Sequence, residues 1–505
     1  LRENQFNLPT KVSIIGAGIA GLSAGCYLQK SGFDTEIFEA HNLPGGLCTS
    51  WNKDGYLIDG CLHWLMGTHP SSPVYRLWNE IIDMDSLPVF VYDEFFRIQD
   101  ASGKEIVAYA DLERLREELK SKAPEDRALV DEFVNAARKL GRMKMRMDKA
   151  PELYSARDKL GETLSYLPYL NLLIRYSKMK IHDFAARCKN PLLRNFFEYS
   201  FTSEMPVLFI MMTFSWLDGK NAGYPVGGSL KFAQLFEKKY LEQGGKIRYN
   251  SRVTGIITEK NGKRDRAAGI VTEKGEESRA DIVISCADGY STIFGMLGGR
   301  YADKRIQHYY ESFQVFPSFF LVSLGVSRTF GNVPSRVIFP LDKPFRLDPE
   351  KVTDHMNYRI SSYDPTLAPE GKTLIMCLAK TFNSRYWMDL RKNDYRKYSE
   401  EKQRIADFYI DQLDRKLGGI RENLEMTDIA TPATLHRYTH NWKGSVEGWM
   451  VTRETGFDSL PKVLPGLDDF YMAGQWVEPG GGVPAVFFSG RNLAQIIAGK
   501  YGQGF

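Results

Sequence analysis

The sequence predicts an α/β fold, a parallel-sheet nucleotide-binding domain interrupted by an inserted α+β domain with a helical cap. Three observations predict it. A glycine-rich strand–turn–helix–strand signature stands near the start of the 505 residues. A second strand, glycine turn and helix stand near the end. Between them lie a stretch of helical periodicity and several runs of strand character.

The first signature runs from Lys11 to Glu39. Val12 to Ile15 reads as a strand that breaks at Gly16-Ala17-Gly18-Ile19-Ala20-Gly21. A helical segment follows, and Thr35 to Phe38 is a second strand ending on Glu39. Each position has a mechanical role at a dinucleotide site. Gly16 permits the tight turn, Gly18 lets the backbone approach a pyrophosphate, and Gly21 lets the helix lie against the strand. The helix N-terminus offers free N–H groups and the positive end of a dipole to the phosphates. Glu39, 23 positions after Gly16, is placed to accept hydrogen bonds from a ribose diol, with Ala40 beside it.

A further glycine pair, Gly45-Gly46-Leu47, follows soon after the acid. It provides another close backbone approach to the same cofactor, which a plain nicotinamide dehydrogenase does not need. Near the C-terminus, Phe470 to Met472 reads as a short strand and Gly474-Gln475 as its turn. Then come Glu478-Pro479-Gly480-Gly481-Gly482-Val483-Pro484 and a helical run to Ala498. Glycines followed by proline in the first turn leave a helix N-terminus open, suited to negative charge on a reduced flavin. The cofactor expected is FAD.

With these motifs, the block from Gly474 to Gly490 resembles that of the phytoene desaturase-type flavoproteins: carotenoid desaturases, carotenoid isomerases and retinol saturases. Tyr224-Pro225-Val226-Gly227-Gly228 resembles their internal turn, and Thr431-Pro432-Ala433-Thr434 with Gly444 to Gly448 resembles a further block. Arg252-Val253-Thr254 resembles the segment whose valine backbone meets the adenine. The resemblance implies a glutathione-reductase-like Rossmann domain in three pieces, 1–66, 222–300 and 424–505. Residues 67–221 and 301–423 would form the substrate domain with its cap. Gly60-Cys61-Leu62-His63 is closer to the retinol saturase and isomerase branch than to phytoene desaturation itself.

Composition narrows the function. A net charge of +4 gives no reason to expect nucleic acid. The six cysteines are scattered without CxxC spacing, which points away from zinc and from a disulfide framework and towards a reducing compartment. His436 and His440 lie four apart, a spacing open to metal, yet they sit within a family loop block, and no metal is expected. The polar start, Leu1 to Thr10, reads as no secretory signal, so a cytoplasmic protein is expected. Arg138 to Met147 and Leu167 to Lys180 mix cations with apolar residues, a pattern that reads either as a solvated basic face and a core helix or as peripheral contact with a membrane surface. The oligomeric state is left open.

Asp111 to Ser200 has helical periodicity, whereas Phe313 to Thr329 and Lys372 to Phe382 are strand-like. Arg396 to Leu417 reads as an amphipathic helix returning to the FAD domain. The apolar run Met205 to Leu217 is too short to span a bilayer, which takes about 20 residues. It reads either as a core helix or as the lining of an apolar substrate passage. There is no second GxGxxG, so no tightly bound nicotinamide is expected. The implied activity is FAD-dependent desaturation, saturation or isomerisation of a long apolar isoprenoid. Hydride would leave a C–H for the flavin, and the polyene itself would stabilise the allylic cation. That chemistry makes a strong base unnecessary; His63, titrating near neutral pH, and Glu478 are the acid–base candidates, with a core histidine as the alternative for His63. The rival functions are a flavin amine oxidase and a non-enzymatic prenyl-lipid carrier on the same scaffold.

Overall fold

The computed structural model describes residues 9–331, 333–457 and 459–505. The polar segment before Pro9 lies outside them. A five-stranded parallel sheet, in the order Lys246–Arg248, Asp34–Phe38, Lys11–Ile15, Ile282–Ser285 and Phe470–Met472, draws on three distant parts of the chain. Its central strands are apolar on both faces, as a covered parallel sheet requires: Val12, Ile14, Ile282, Val283 and Ile284 are fully buried. Helices Ile19–Lys30, Gly228–Glu242 and Gly482–Lys500 pack on one side of it. On the other side lies a smaller sheet of Val253–Asn261, Arg264–Thr272 and Glu277–Arg279.

A second, seven-stranded sheet runs Leu424–Ala430, Ser318–Val326, Thr373–Thr381, Val352–Ile360, Arg336–Arg346, Glu94–Gln99 and Glu105–Tyr109. Side chains alternate between its two faces. Phe320, Val322, Leu324, Ile375 and Cys377 form one face and pack under helix Tyr395–Leu417. Phe319, Leu378 and Lys380 line a cavity on the other. Two expectations are corrected here. The boundary at 424 falls one strand early, because Leu424–Ala430 pairs with Ser318–Val326. The helix over 396–417 covers this second sheet rather than returning to the parallel one, since its buried stripe of Ile405, Tyr409 and Leu413 meets that apolar face.

Helices Leu112–Lys122, Arg127–Gly141, Pro191–Ser200 and Val207–Asp218 pack into one apolar core, and the last of them puts Phe209, Met212 and Trp216 on the cavity wall. No helix among the described residues is long and apolar enough to cross a membrane.

Candidate active site

The glycine turn separates two kinds of constraint. Gly16 has φ +98°, and its N–H donates to Phe38 O at 2.8 Å. A Cβ on Gly21 would lie 2.0 Å from Gly16 O, so helix–strand packing alone keeps that position bare. Gly18 differs. Its φ of −68° suits any residue, and a Cβ there would meet only Gly45 O, at 3.9 Å. No protein neighbour demands a glycine; the space in front of it is the cavity. Gly45 and Gly46, at φ +104° and +60°, bring their loop against this turn, and Gly45 N–H donates to Ala17 O at 2.8 Å. The Glu39 carboxylate accepts N–H bonds from Ala17 (2.6 Å) and His41 (2.8 Å). It also reaches the cavity wall, and burial pushes its pKa up against those bonds.

The C-terminal helix faces the same space. A Cβ on Gly490 would lie 2.4 Å from Ala20 O, so the first and last helices touch backbone to backbone. Both N-termini line one cavity, each with first-turn N–H groups that have no partner within the helix and a positive dipole end. Ser489 Oγ accepts from Gly474 N–H at 2.8 Å and fixes the preceding turn. The cavity, about 1020 Å³, is lined by Gly16, Gly18, Ile19, Ala20, Glu39 and Ala40 of the first signature, and by Gly45, Gly46 and Leu47. Val253, Gly474, Gln475, Gly482, Val483 and Pro484 complete that end. Ala17 and Gly21 stand behind the wall: one orients Glu39, the other seats the helix.

From this cradle the cavity continues past His63 and Trp64 to Met205, Phe209, Met212 and Trp216. The last three project from one face of helix Val207–Asp218, at helical spacing. Trp64 and Trp216 meet with ring centroids 5.7 Å apart. Met145 and Met147 reach the same cavity from the irregular chain after Gly141. The methionines expected on a basic membrane helix therefore face inward.

Residues 19–498 match the family model described as flavin containing amine oxidoreductase. The chain belongs to this flavin-containing oxidoreductase family. It is 24% identical to the chloroplastic prolycopene isomerase of Daucus carota over 97% of this chain and 80% of that one. It is also 24% identical to a 4,4'-diapophytoene desaturase of Methylomonas sp, over 97% and 95%. Among solved structures, a putrescine oxidase variant shares the fold at TM-score 0.61 and 12% identity, over 97% of this chain and 99% of that one. The residues present fit the dinucleotide form of the flavin. Two helix N-termini and bare Gly18 suit a pyrophosphate, and Glu39 suits a ribose. The flavoenzyme's cofactor is FAD.

The two acid–base candidates fare differently in this flavoenzyme. His63 is on the cavity wall, but Arg359 Nη1 lies 2.6 Å from its Nδ1. Burial, with Arg359, Arg336 and Lys380 nearby, holds its pKa well below the usual range. The imidazole is therefore neutral at physiological pH, which corrects the expectation of titration near 7; with Nδ1 accepting, Nε2 carries the proton. Glu478 lies outside the cavity lining. Lys462 pairs with it at 3.1 Å and Ser459 donates to it, so it holds a turn together. The sequence reading missed Glu447, which lines the cavity with its carboxyl pushed up by burial to about 7. It also missed Arg336, Arg359 and Lys380; only strand register brings these to one place.

Proposed function

We propose that this flavoenzyme acts on carbon–carbon bonds of a long apolar isoprenoid, by desaturation, saturation or isomerisation. The observation that carries this reading is the apolar passage of Met205, Phe209, Met212 and Trp216 leading to the FAD cradle. Such walls offer a polyene dispersion contacts and exclude water, and they hold no group that would compensate a polar chain. Bound FAD supplies hydride acceptance and donation. The protein's part is to orient the chain and to hold a proton. Glu447 is the wall carboxyl that exchanges one near neutral pH, and neutral His63 keeps a proton on Nε2. The parallel-sheet unit serves the cofactor, and the seven-stranded sheet with the cap serves the substrate. A protonated amine is disfavoured, because Lys380 lines the passage with Arg336 and Arg359 in the adjoining cavity, and among the described residues no carboxylate lies in ion-pair range of these three.

Membrane contact supports delivery of such a substrate. Leu160, Leu164, Leu167, Leu170 and Ile174 are 45–61% exposed along helices Ala156–Tyr166 and Leu170–Lys178 and the turn between them. Arg157, Lys159, Arg175 and Lys178 accompany them, a pattern for lying in a lipid interface. The test is expression in a carotenoid-producing host with pigment analysis, alongside anaerobic mixing of the yellow protein with polyenes and with amines. A changed pigment profile, with flavin bleached by polyene and not by amine, is the expected result. Rapid bleaching by a simple amine, with pigments unchanged, would replace this reading with amine oxidation.

A further inference from the structure

Three cations share one face of the seven-stranded sheet. Arg336 lies directly opposite Arg359 in the antiparallel register, and Arg359 lies opposite Met376 on the next strand. Lys380, four residues further along that strand, points to the same side. Like charges directly opposite each other in a sheet destabilise it, and burying unpaired charge costs more. Yet no carboxylate lies within ion-pair distance of any of the three among the described residues. The nearby carboxyls stand further off: Asp59 and Glu447, and Glu198, Glu204 and Asp354, which line the same small cavity. Burial, and then the neighbouring guanidinium in each case, hold Arg336 down to about 10 and Lys380 down to about 8.

Arg359 is committed: it donates to Leu62 O at 3.2 Å and to His63. Among the described residues Arg336 has one hydrogen bond, a long one to Ser200 O at 3.5 Å, with its guanidinium over the Phe96 ring, and Lys380 has one, to Thr202 Oγ1 at 3.0 Å. A guanidinium has five donors and an ammonium three, so most of theirs are unused. The two side chains line a cavity of about 480 Å³ that shares its walls with the larger one at His63, Thr202 and Lys380. We propose that Arg336 and Lys380, backed by Arg359, bind an oxyanion head group, carboxylate or phosphate, of an amphiphile whose apolar chain lies in the passage. This rests on the isoprenoid reading for the chain and adds a charged end to the substrate class. Paired oxyanion oxygens match a guanidinium fork, and the anion supplies the counter-charge that the sheet lacks.

The test uses flavin-loaded protein and parinaric acid, a conjugated tetraene carboxylic acid whose own fluorescence reports binding, against its methyl ester. Long-chain alkyl phosphate and the matching alcohol compete in parallel. The acid is expected to bind about tenfold or more tighter than the ester, the gain typical of one charge-assisted hydrogen bond. Arg336→Gln and Lys380→Gln should each erase most of that preference and leave ester affinity unchanged. Melting temperature and flavin content identify any variant that fails to fold, and the wild-type comparison of acid with ester decides without variants. Equal binding of acid and ester overturns the head-group site while leaving the apolar passage standing. Binding of neither overturns both. A preference that survives both substitutions in folded protein overturns the assignment to Arg336 and Lys380. Competition by the phosphate rather than the acid identifies the head.

Discussion

A Cβ on Gly21 would collide with the Gly16 backbone, whereas one on Gly18 would project into the cavity, so substitutions at the two positions should fail differently. Gly18→Val is expected to give a folded, colourless protein with near-normal melting of the flavin-free form; yellow, fully loaded Gly18→Val would show that the pyrophosphate lies elsewhere. Glu39→Ala removes a charged acceptor, a loss of about 1.5–3 kcal/mol. FAD affinity in equilibrium dialysis should then fall by roughly tenfold to over a hundredfold. Glu447 gives a pH signature. Its folded carboxyl is raised from the ordinary 4.5 to about 7, so the folded state binds that proton more tightly than the unfolded state. The stabilisation is present below the unfolded value and is lost as pH rises through the folded one. Glu447→Gln removes that loss. Relative to wild type it should gain stability between pH 4.5 and pH 7, by up to about 3 kcal/mol at roughly 1.4 kcal/mol per unit. A stability difference between the two proteins that does not change over that range would place the carboxyl in water.

At the scale of single elements, helix Val207–Asp218 shows what a sequence does and does not reveal. Its residues are almost all apolar, so periodicity cannot tell a core face from a cavity face. The structure separates them: Met211 and Phe214 are buried in the core, whereas Phe209 and Met212 line the passage. Phe209→Asp and Met212→Asp should therefore abolish turnover while the bound flavin spectrum and melting temperature stay close to wild type. A large loss of melting temperature equal to that of Phe214→Asp would return the whole helix to the core. The exposed leucines make a second contrast. Leu160→Asp with Leu164→Asp should cut flotation with anionic vesicles and leave FAD loading unchanged, because neither side chain packs inside. Composition makes the basic segment 138–147 equally suited to lipid, because it cannot show that the helix stops at Gly141 and that Met145 and Met147 turn inward.

On the scale of the whole molecule, legibility follows the range of the forces involved. The glycine turn was legible because it is local: Gly16, Gly18, Gly21 and Glu39 sit in one β-α-β unit, and spacing alone encodes its shape. The cluster of Arg336, Arg359 and Lys380 was not, because it exists only through the pairing of three strands from separate parts of the chain. The misplaced boundary at 424 has the same origin, since nothing in Leu424–Ala430 says which sheet it will join. The cradle itself is assembled from distant segments, around 16–47, 252–254 and 474–484. A cofactor touching all of them should bind them to one another, and one that binds only the folded state stabilises it by about 2.7 kcal/mol at a hundredfold excess over its Kd. Stripping FAD should therefore lower the melting temperature reversibly and speed amide exchange at those segments. The strands Ser318–Val326 and Thr373–Thr381, which hydrogen-bond to each other across nine register pairs and do not depend on the cradle, should keep their protection. Exchange that accelerates equally in both sheets would mean that the cofactor holds the entire fold together rather than its own cradle.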